Sequence, residues 1–88
     1  MTDSIQIRRE QRREFLKQLY LRVDGSVSEF VAAYDLAAGL GIDEAEARKI
    51  LEYFEEKAFV MVDDYRAGIV RITAAGVDAV ESDQVGRF

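Results

Sequence analysis

Two amino acids that carry much of enzyme chemistry, cysteine and histidine, are absent from this chain. Without them there are no disulfides, no zinc sites of the usual nitrogen and sulfur type, and no Ser-His or Cys-His nucleophile. Carboxylates and four tyrosines remain, and they show no pattern of a nucleophile or a tuned acid–base pair. We therefore expect no enzyme activity, no cofactor and no bound metal.

Long apolar stretches are also lacking. No run approaches the roughly 20 residues that a membrane-spanning helix needs, and the first residues contain no apolar segment of a secretory signal. We expect a cytoplasmic protein with no membrane partner. The 88 residues are 49% hydrophobic and 33% charged, a balance typical of a single small globular domain.

The charged residues are unevenly distributed around a formal net charge of −5. Up to and including Gly25 there are six Lys and Arg against four Asp and Glu, whereas the remainder has six against thirteen. The basic surface is therefore predicted on the first helix and the acidic surface on the rest of the chain.

The first helix is predicted over 5–23, with Asp3 or Ser4 as its cap. Its second half carries apolar residues at helical spacing, which predicts a core-facing stripe of Phe15, Leu16, Leu19, Tyr20 and Val23. In the first half the same line is continued by four arginines, namely Arg8, Arg9, Arg12 and Arg13. We expect this end of the helix to project past the small core.

The arginine cluster has two interpretations. It is either a solvated helix end or a docking surface in which guanidinium groups on one helix face bind phosphates or an acidic protein. The sequence leaves both open.

The segment after Asp24 and Gly25, which are turn residues, is ambiguous. Ser26 and Glu29 have the spacing of a helix-capping box, whereas residues 29–31 suit a short strand. We favour the strand because it would give the later two-stranded hairpin a third member.

A pair of helices joined by a tight turn is predicted over 33–58. The first runs over 33–40, glycines form the turn, and Asp43 caps a second helix that starts at Glu44. The second helix has an apolar face formed by Ala47, Ile50, Leu51 and Phe54. Its outward face is mixed in charge, with acidic residues in the majority.

A β-hairpin is predicted over 59–73, from two β-rich runs at 59–62 and 68–72 joined by 63–67. Thr73 is the expected cap of a last helix over 74–82 that turns Val77 and Val80 inward. The single domain is thus predicted over 1–82, and 83–88 form a flexible tail.

Several stretches in this order resemble the winged helix-turn-helix family of bacterial, transcription-regulator-like proteins. They are Leu36-Ala37, Leu40-Gly41-Ile42-Asp43, the run 50–60 and Ile72-Thr73-Ala74-Ala75-Gly76-Val77. The resemblance implies an α+β fold with a three-helix core, a small antiparallel β-hairpin wing and a short C-terminal helix.

In DNA-binding members of that family the second helix of the pair enters the major groove and the wing contacts the adjacent backbone. The corresponding positions here are Glu44, Ala45, Arg48, Lys49 and Glu52, with Arg66 at the tip of the wing. Three features depart from the pattern: acidic residues on the second helix, the pair Asp63-Asp64 in the wing, and Ala58 where a glycine is common. Tyr65 would either anchor a partner or fold back over the hairpin.

Two functions follow as expectations. The first is a DNA-binding, transcription-regulator-like module, with a homodimer through the first helix supplying enough contacts to double-stranded DNA. The alternative is an acidic winged-helix module for protein–protein interaction, which would bind a basic or mixed-charge protein surface and no DNA.

Overall fold

The protein, described here by a computed structural model over residues 2–82, has an α+β fold with four helices and a three-stranded antiparallel sheet of order β1-β3-β2. The predicted tail at 83–88 lies outside the described residues. The elements in chain order are α1 Thr2–Val23, β1 Val31–Ala32, α2 Ala33–Gly39, α3 Glu44–Glu56, β2 Val60–Asp64, β3 Ile69–Ile72 and α4 Ala74–Ser82.

Helix α1 begins at Thr2, so the predicted start near Ile5 is wrong and Asp3 lies within the helix. A capping side chain contributes only about 1 kcal/mol, which does not fix a helix start when the preceding residues can also be helical. The apolar stripe is confirmed: its members are buried, except Tyr20, which is half-buried. Ile5 and Ile7 are 63% and 53% exposed, so α1 runs beyond the core up to Glu10, as predicted, whereas Arg12 and Arg13 are half-buried.

A strand after the turn is confirmed, although it starts later than expected. It pairs Val31 with Val70 and Ala32 with Ile69. The alternative of a helix starting at Ser26 is wrong, because the Ser26 hydroxyl accepts a hydrogen bond from the backbone N–H of Ser28 at 3.3 Å and forms a local turn.

The turn between α2 and α3 uses the predicted residues. Gly41 has a φ of 77°, and an Asp43 carboxylate oxygen accepts the backbone N–H of Glu46 at 2.8 Å. Helix α3 ends at Glu56, two residues before the predicted end, because Ala58 adopts a φ of 64°. That left-handed residue lets the N–H of Phe59 bond the carbonyl of Phe54 at 2.8 Å.

Strand β2 is longer than predicted. It continues to Asp64, with a register shift between the Val62–Val70 and Asp64–Ile69 pairs that leaves Asp63 in a bulge. An Asp64 carboxylate oxygen accepts the N–H groups of Arg66 and Ala67 at 2.9 and 3.3 Å. The two aspartates are therefore structural parts of the hairpin turn.

Helix α4 is capped as predicted, since the Thr73 hydroxyl accepts the N–H of Gly76 at 3.0 Å. Val77 and Val80 pack against the core and are half-buried. The core itself is entirely apolar: within residues 4–82 no polar or charged residue is buried. None of the helices described is both long and apolar enough to span a lipid bilayer.

Candidate functional site

The predicted contact positions on α3 and the hairpin lie together. They line one open hollow between α3 and the hairpin turn, formed by Glu44, Ala45, Arg48, Lys49, Glu52 and Arg66. We call it the α3–hairpin hollow. It presents three cations and two carboxylates beside the N-terminal half of α3, whose backbone N–H groups add a partial positive charge.

Tyr65 does not project into this hollow as a partner anchor but folds back onto α3. Its hydroxyl donates to a Glu55 carboxylate oxygen at 2.5 Å, and its carbonyl oxygen accepts from the Tyr34 hydroxyl at 2.5 Å. The Arg48 guanidinium lies 5.8 Å from the Tyr65 ring centroid and donates weakly to the same carbonyl at 3.5 Å. Burial, followed by the hydrogen bond to Glu55, raises the pKa of Tyr65 to about 12.

The hairpin turn is also fixed against α2. Gly68 has a φ of 70°, and a Cβ added there would lie 2.6 Å from a ring carbon of Tyr34. The carbonyl of Gly68 accepts the N–H of Ala33 at 2.7 Å. These contacts hold Arg66, at the tip of the turn, beside α3.

On its opposite flank α3 meets the basic half of α1. The Arg8 Nε atom lies 3.9 Å from a Glu46 carboxylate oxygen, and the Arg12 guanidinium carbon lies 4.3 Å over the Tyr53 ring centroid. The Lys57 ammonium nitrogen lies 5.8 Å from the same centroid. We call this group of Arg8, Arg12, Glu46, Tyr53 and Lys57 the α1–α3 seam.

The four predicted arginines do not act as one face. Residues four apart stack along a helix, whereas the next residue is turned by about 100°, so Arg8 and Arg12 form one line and Arg9 and Arg13 another. Only the first of these lines makes the contacts with α3 described above. Arg9 is exposed and Arg13 is half-buried.

Glu56 lies one turn after Glu52, which borders the hollow, on the outward side of α3. Both are exposed, and neither has an ion pair within 4.0 Å among residues 4–82. We call this pair the acidic ridge. It is the feature of α3 that is least suited to contact with phosphate.

Sequence reasoning missed two members of the seam, Tyr53 and Lys57. Their spacing with Glu46, at i, i+7 and i+11, places the three on one side of α3. The sequence does not indicate that α1 covers that side, because Arg12 and Tyr53 are far apart along the chain.

The described part of the chain holds no group of three or more Asp, Glu, His or Cys side chains that could bind a metal ion. Comparison with known proteins finds no matching family model, no similar curated protein and no similar solved structure. Function must therefore be argued from the geometry around α3.

Proposed function

We propose that this chain is a small, non-enzymatic winged-helix module that binds double-stranded DNA, with α3 in the major groove and the β2–β3 hairpin as the wing. The observation that carries the proposal is that cations lie on both flanks of α3: Arg48, Lys49 and Arg66 on one, Arg12 and Lys57 on the other. A helix with its side chains is about 10–12 Å across, and the major groove is about 12 Å wide. The two flanks would thus face the two phosphate backbones.

The charge of the α3–hairpin hollow favours this function more than the net charge of −5 does. Glu46, one of the acidic residues that opposed a DNA-binding role, is paired with Arg8 and lies in the seam rather than in the hollow. In the hollow, cations outnumber carboxylates, and Glu44 or Glu52 can accept a hydrogen bond from the amino group of cytosine. Lys49 and Arg66 supply phosphate contacts.

A salt titration tests this proposal. With a labelled duplex and fluorescence anisotropy, four to five phosphate contacts by each bound copy predict a slope of about −3.6 to −4.5 per copy for log K against log salt. The Lys49→Gln, Arg66→Gln double variant should make the slope less steep by about 2. Arg22→Gln, which removes an exposed charge from the last turn of α1, is the matched control and should leave the slope unchanged. Weak, salt-insensitive binding of the wild-type protein would refute the proposal.

Dimerisation belongs to the same proposal. Ile7 and Leu21 are large exposed apolar residues on α1, and helical spacing places them on the same side of that helix. A homodimer through this side would cover them and add the phosphate contacts of a second copy. Sedimentation equilibrium of the wild-type protein and an Ile7→Gln, Leu21→Gln variant would measure this association.

A protein partner is the second candidate, and the acidic ridge favours it. Unpaired carboxylates on the outward side of α3 would attract a basic or mixed-charge protein surface. The Glu52→Lys, Glu56→Lys variant separates the two functions. A DNA-binding module should bind duplex DNA more tightly after this change, whereas a protein-binding module should lose a partner that the wild-type protein retains after nuclease treatment.

A further inference from the structure

We infer that the α1–α3 seam is a phosphate clamp in which Arg12 and Lys57 together bind one backbone phosphate of the DNA and Tyr53 positions both cations. The inference rests on the proposed function for the source of the phosphate. Tyr53 and Lys57 are not among the positions that the family resemblance predicts to contact DNA. The phosphate contact inferred for them lies on the flank of α3 opposite the hairpin.

Arg12 is held in a fixed orientation. Its guanidinium carbon lies 4.3 Å over the centroid of the Tyr53 ring, the geometry of a cation–π contact. The planar fork of a guanidinium can donate two parallel hydrogen bonds to a phosphate. The Nε atom is buried and has no hydrogen-bond partner in the described part of the chain, so the Nη groups are the ones that an incoming anion can reach.

Lys57 is the second cation of the clamp. Its ammonium nitrogen lies 5.8 Å from the same ring centroid, so the two charged groups are at most about 10 Å apart. An anion that both groups contact would offset the repulsion between these two like charges. Among residues 4–82 neither cation has a carboxylate within 4.0 Å.

Arg8 marks the edge of the clamp rather than its centre. Its side chain is 58% exposed and already faces Glu46 at 3.9 Å. A phosphate that bound Arg8 would have to compete with that carboxylate, whereas Arg12 and Lys57 have no such competitor. We therefore expect Arg12 and Lys57 to contribute more than Arg8 to phosphate binding.

The first test compares single substitutions on the same helices. Arg12→Gln and Lys57→Gln should each weaken binding by roughly tenfold for every duplex sequence and make the salt slope less steep by about 1. Lys17→Gln removes an exposed charge from α1 outside the seam and should change neither quantity. Slopes for the Arg12 and Lys57 variants that equal the wild-type slope would overturn the clamp.

The role of Tyr53 needs its own comparison, because the ring also packs edge-on against Phe54, with centroids 5.4 Å apart. Tyr53→Phe keeps the ring under both cations and should bind DNA as the wild-type protein does. Tyr53→Leu keeps an apolar side chain beside Phe54 but loses the ring, and it should lose affinity to the extent that Arg12→Gln does. Equal binding by the two variants, with both shown to be folded by circular dichroism, would contradict a positioning role.

A second test does not depend on DNA. Inorganic pyrophosphate is added at constant ionic strength while the backbone amide signals of positions 12, 53 and 57 are followed by NMR. The clamp predicts saturable shifts in the wild-type protein and none in the Arg12→Gln, Lys57→Gln double variant. Shifts that do not saturate would overturn the clamp. A stronger response to acetate than to pyrophosphate would also overturn it and would indicate that the seam binds the carboxylates of an acidic protein. Pyrophosphate binding without duplex binding would refute the proposed function and leave the clamp in place.

Discussion

The two flanks of α3 use their charged and polar side chains in different ways. On the hairpin flank, Tyr65, Glu55 and Tyr34 form short hydrogen bonds that fix the turn to the helices. On the α1 flank, Arg12 and Lys57 lie on an aromatic ring with no carboxylate within 4.0 Å in the described residues. The first flank uses its tyrosine hydroxyls and Glu55 to hold the turn and presents its cations beside carboxylates in the hollow, whereas the second presents two cations beside an aromatic ring.

This difference changes how a charge pattern in the sequence should be interpreted. Tyr65 and Arg66 are neighbours in one loop, yet the side chain of Tyr65 is bonded to α3 while Arg66 lines the hollow. Arg8 and Arg12 are one turn apart on α1, yet only Arg8 faces a carboxylate. Residues that lie near one another in the sequence thus have separate roles in the folded protein.

The hairpin flank is most strongly disrupted by Gly68→Ala. The new Cβ would occupy a residue with a φ of 70° and would lie 2.6 Å from a Tyr34 ring carbon, so we expect the free energy of unfolding to fall by about 3 kcal/mol. Denaturant unfolding measures this change. Gly39→Ala, where a Cβ would have no neighbour within 4 Å, is the control and should be neutral or slightly stabilising. Equal effects of the two substitutions would show that the turn is not packed against α2.

Tyr65→Phe removes a single contact from the same flank. The lost hydrogen bond to Glu55 should lower the free energy of unfolding by about 1.5 kcal/mol at pH 8, the low end of the range for bonds to charged groups, because Glu55 is exposed. No change on substitution would mean that Tyr65 does not hold the hairpin to α3.

The same pair of proteins gives a pH prediction. The pKa of Tyr65 is raised from 10.0 to about 12 in the folded protein, so its neutral form is favoured by folding. That stabilisation is fully present below about pH 10 and is lost as the pH rises through 12. The difference in stability between wild type and Tyr65→Phe should therefore shrink between pH 10 and 12, and a constant difference would contradict the raised pKa.

Ala58→Gly tests the end of α3. Ala58 has a φ of 64°, a conformation that is unfavourable for a residue with a Cβ and free for glycine. We expect this substitution to stabilise the protein by about 1 kcal/mol. A thermal denaturation midpoint that is lower for the glycine variant than for the wild-type protein would contradict this expectation.

Glu46→Gln should have the smallest effect on stability. The Arg8 Nε atom lies 3.9 Å from a Glu46 carboxylate oxygen, and the Arg8 side chain is 58% exposed. Loss of this ion pair should therefore change the free energy of unfolding by less than about 0.5 kcal/mol. Affinity for duplex DNA should nevertheless increase, because Arg8 is released for a phosphate. A decrease in affinity would place Glu46 in direct contact with the partner.

Periodicity and capping chemistry were sufficient to predict much of the fold. The apolar stripes of α1 and α3, the Asp43 cap and the Thr73 cap are all confirmed because each depends on residues within a few positions of one another. The start of α1 and the bulge at Asp63 were not predicted, since neither has a strong local signal. The presence of Ala58 where a glycine is common left open whether the helix end would adopt a positive φ, and it does.

The candidate site was predictable in part for the same reason. The members of the hollow were expected from helix spacing and the family resemblance, and they do lie together. The seam was not expected, because it requires knowing that α1 crosses α3 at Tyr53. The hydrogen bond from Tyr65 to Glu55 directs the Tyr65 side chain toward the protein and away from a partner. Glu55 belongs to α3, and the sequence of the hairpin does not indicate this contact.

The central claim, that both flanks of α3 face DNA at once, is tested most directly by mapping a bound duplex on the protein by NMR. The account predicts that signals of Lys49 and Arg66 on the hairpin flank and of Arg12 and Lys57 on the α1 flank all shift with the same midpoint. Arg71, whose contacts are with Val27, Phe30 and Met61, should not shift. Shifts confined to one flank, or no shifts at a duplex concentration far above that of the protein, would contradict the account.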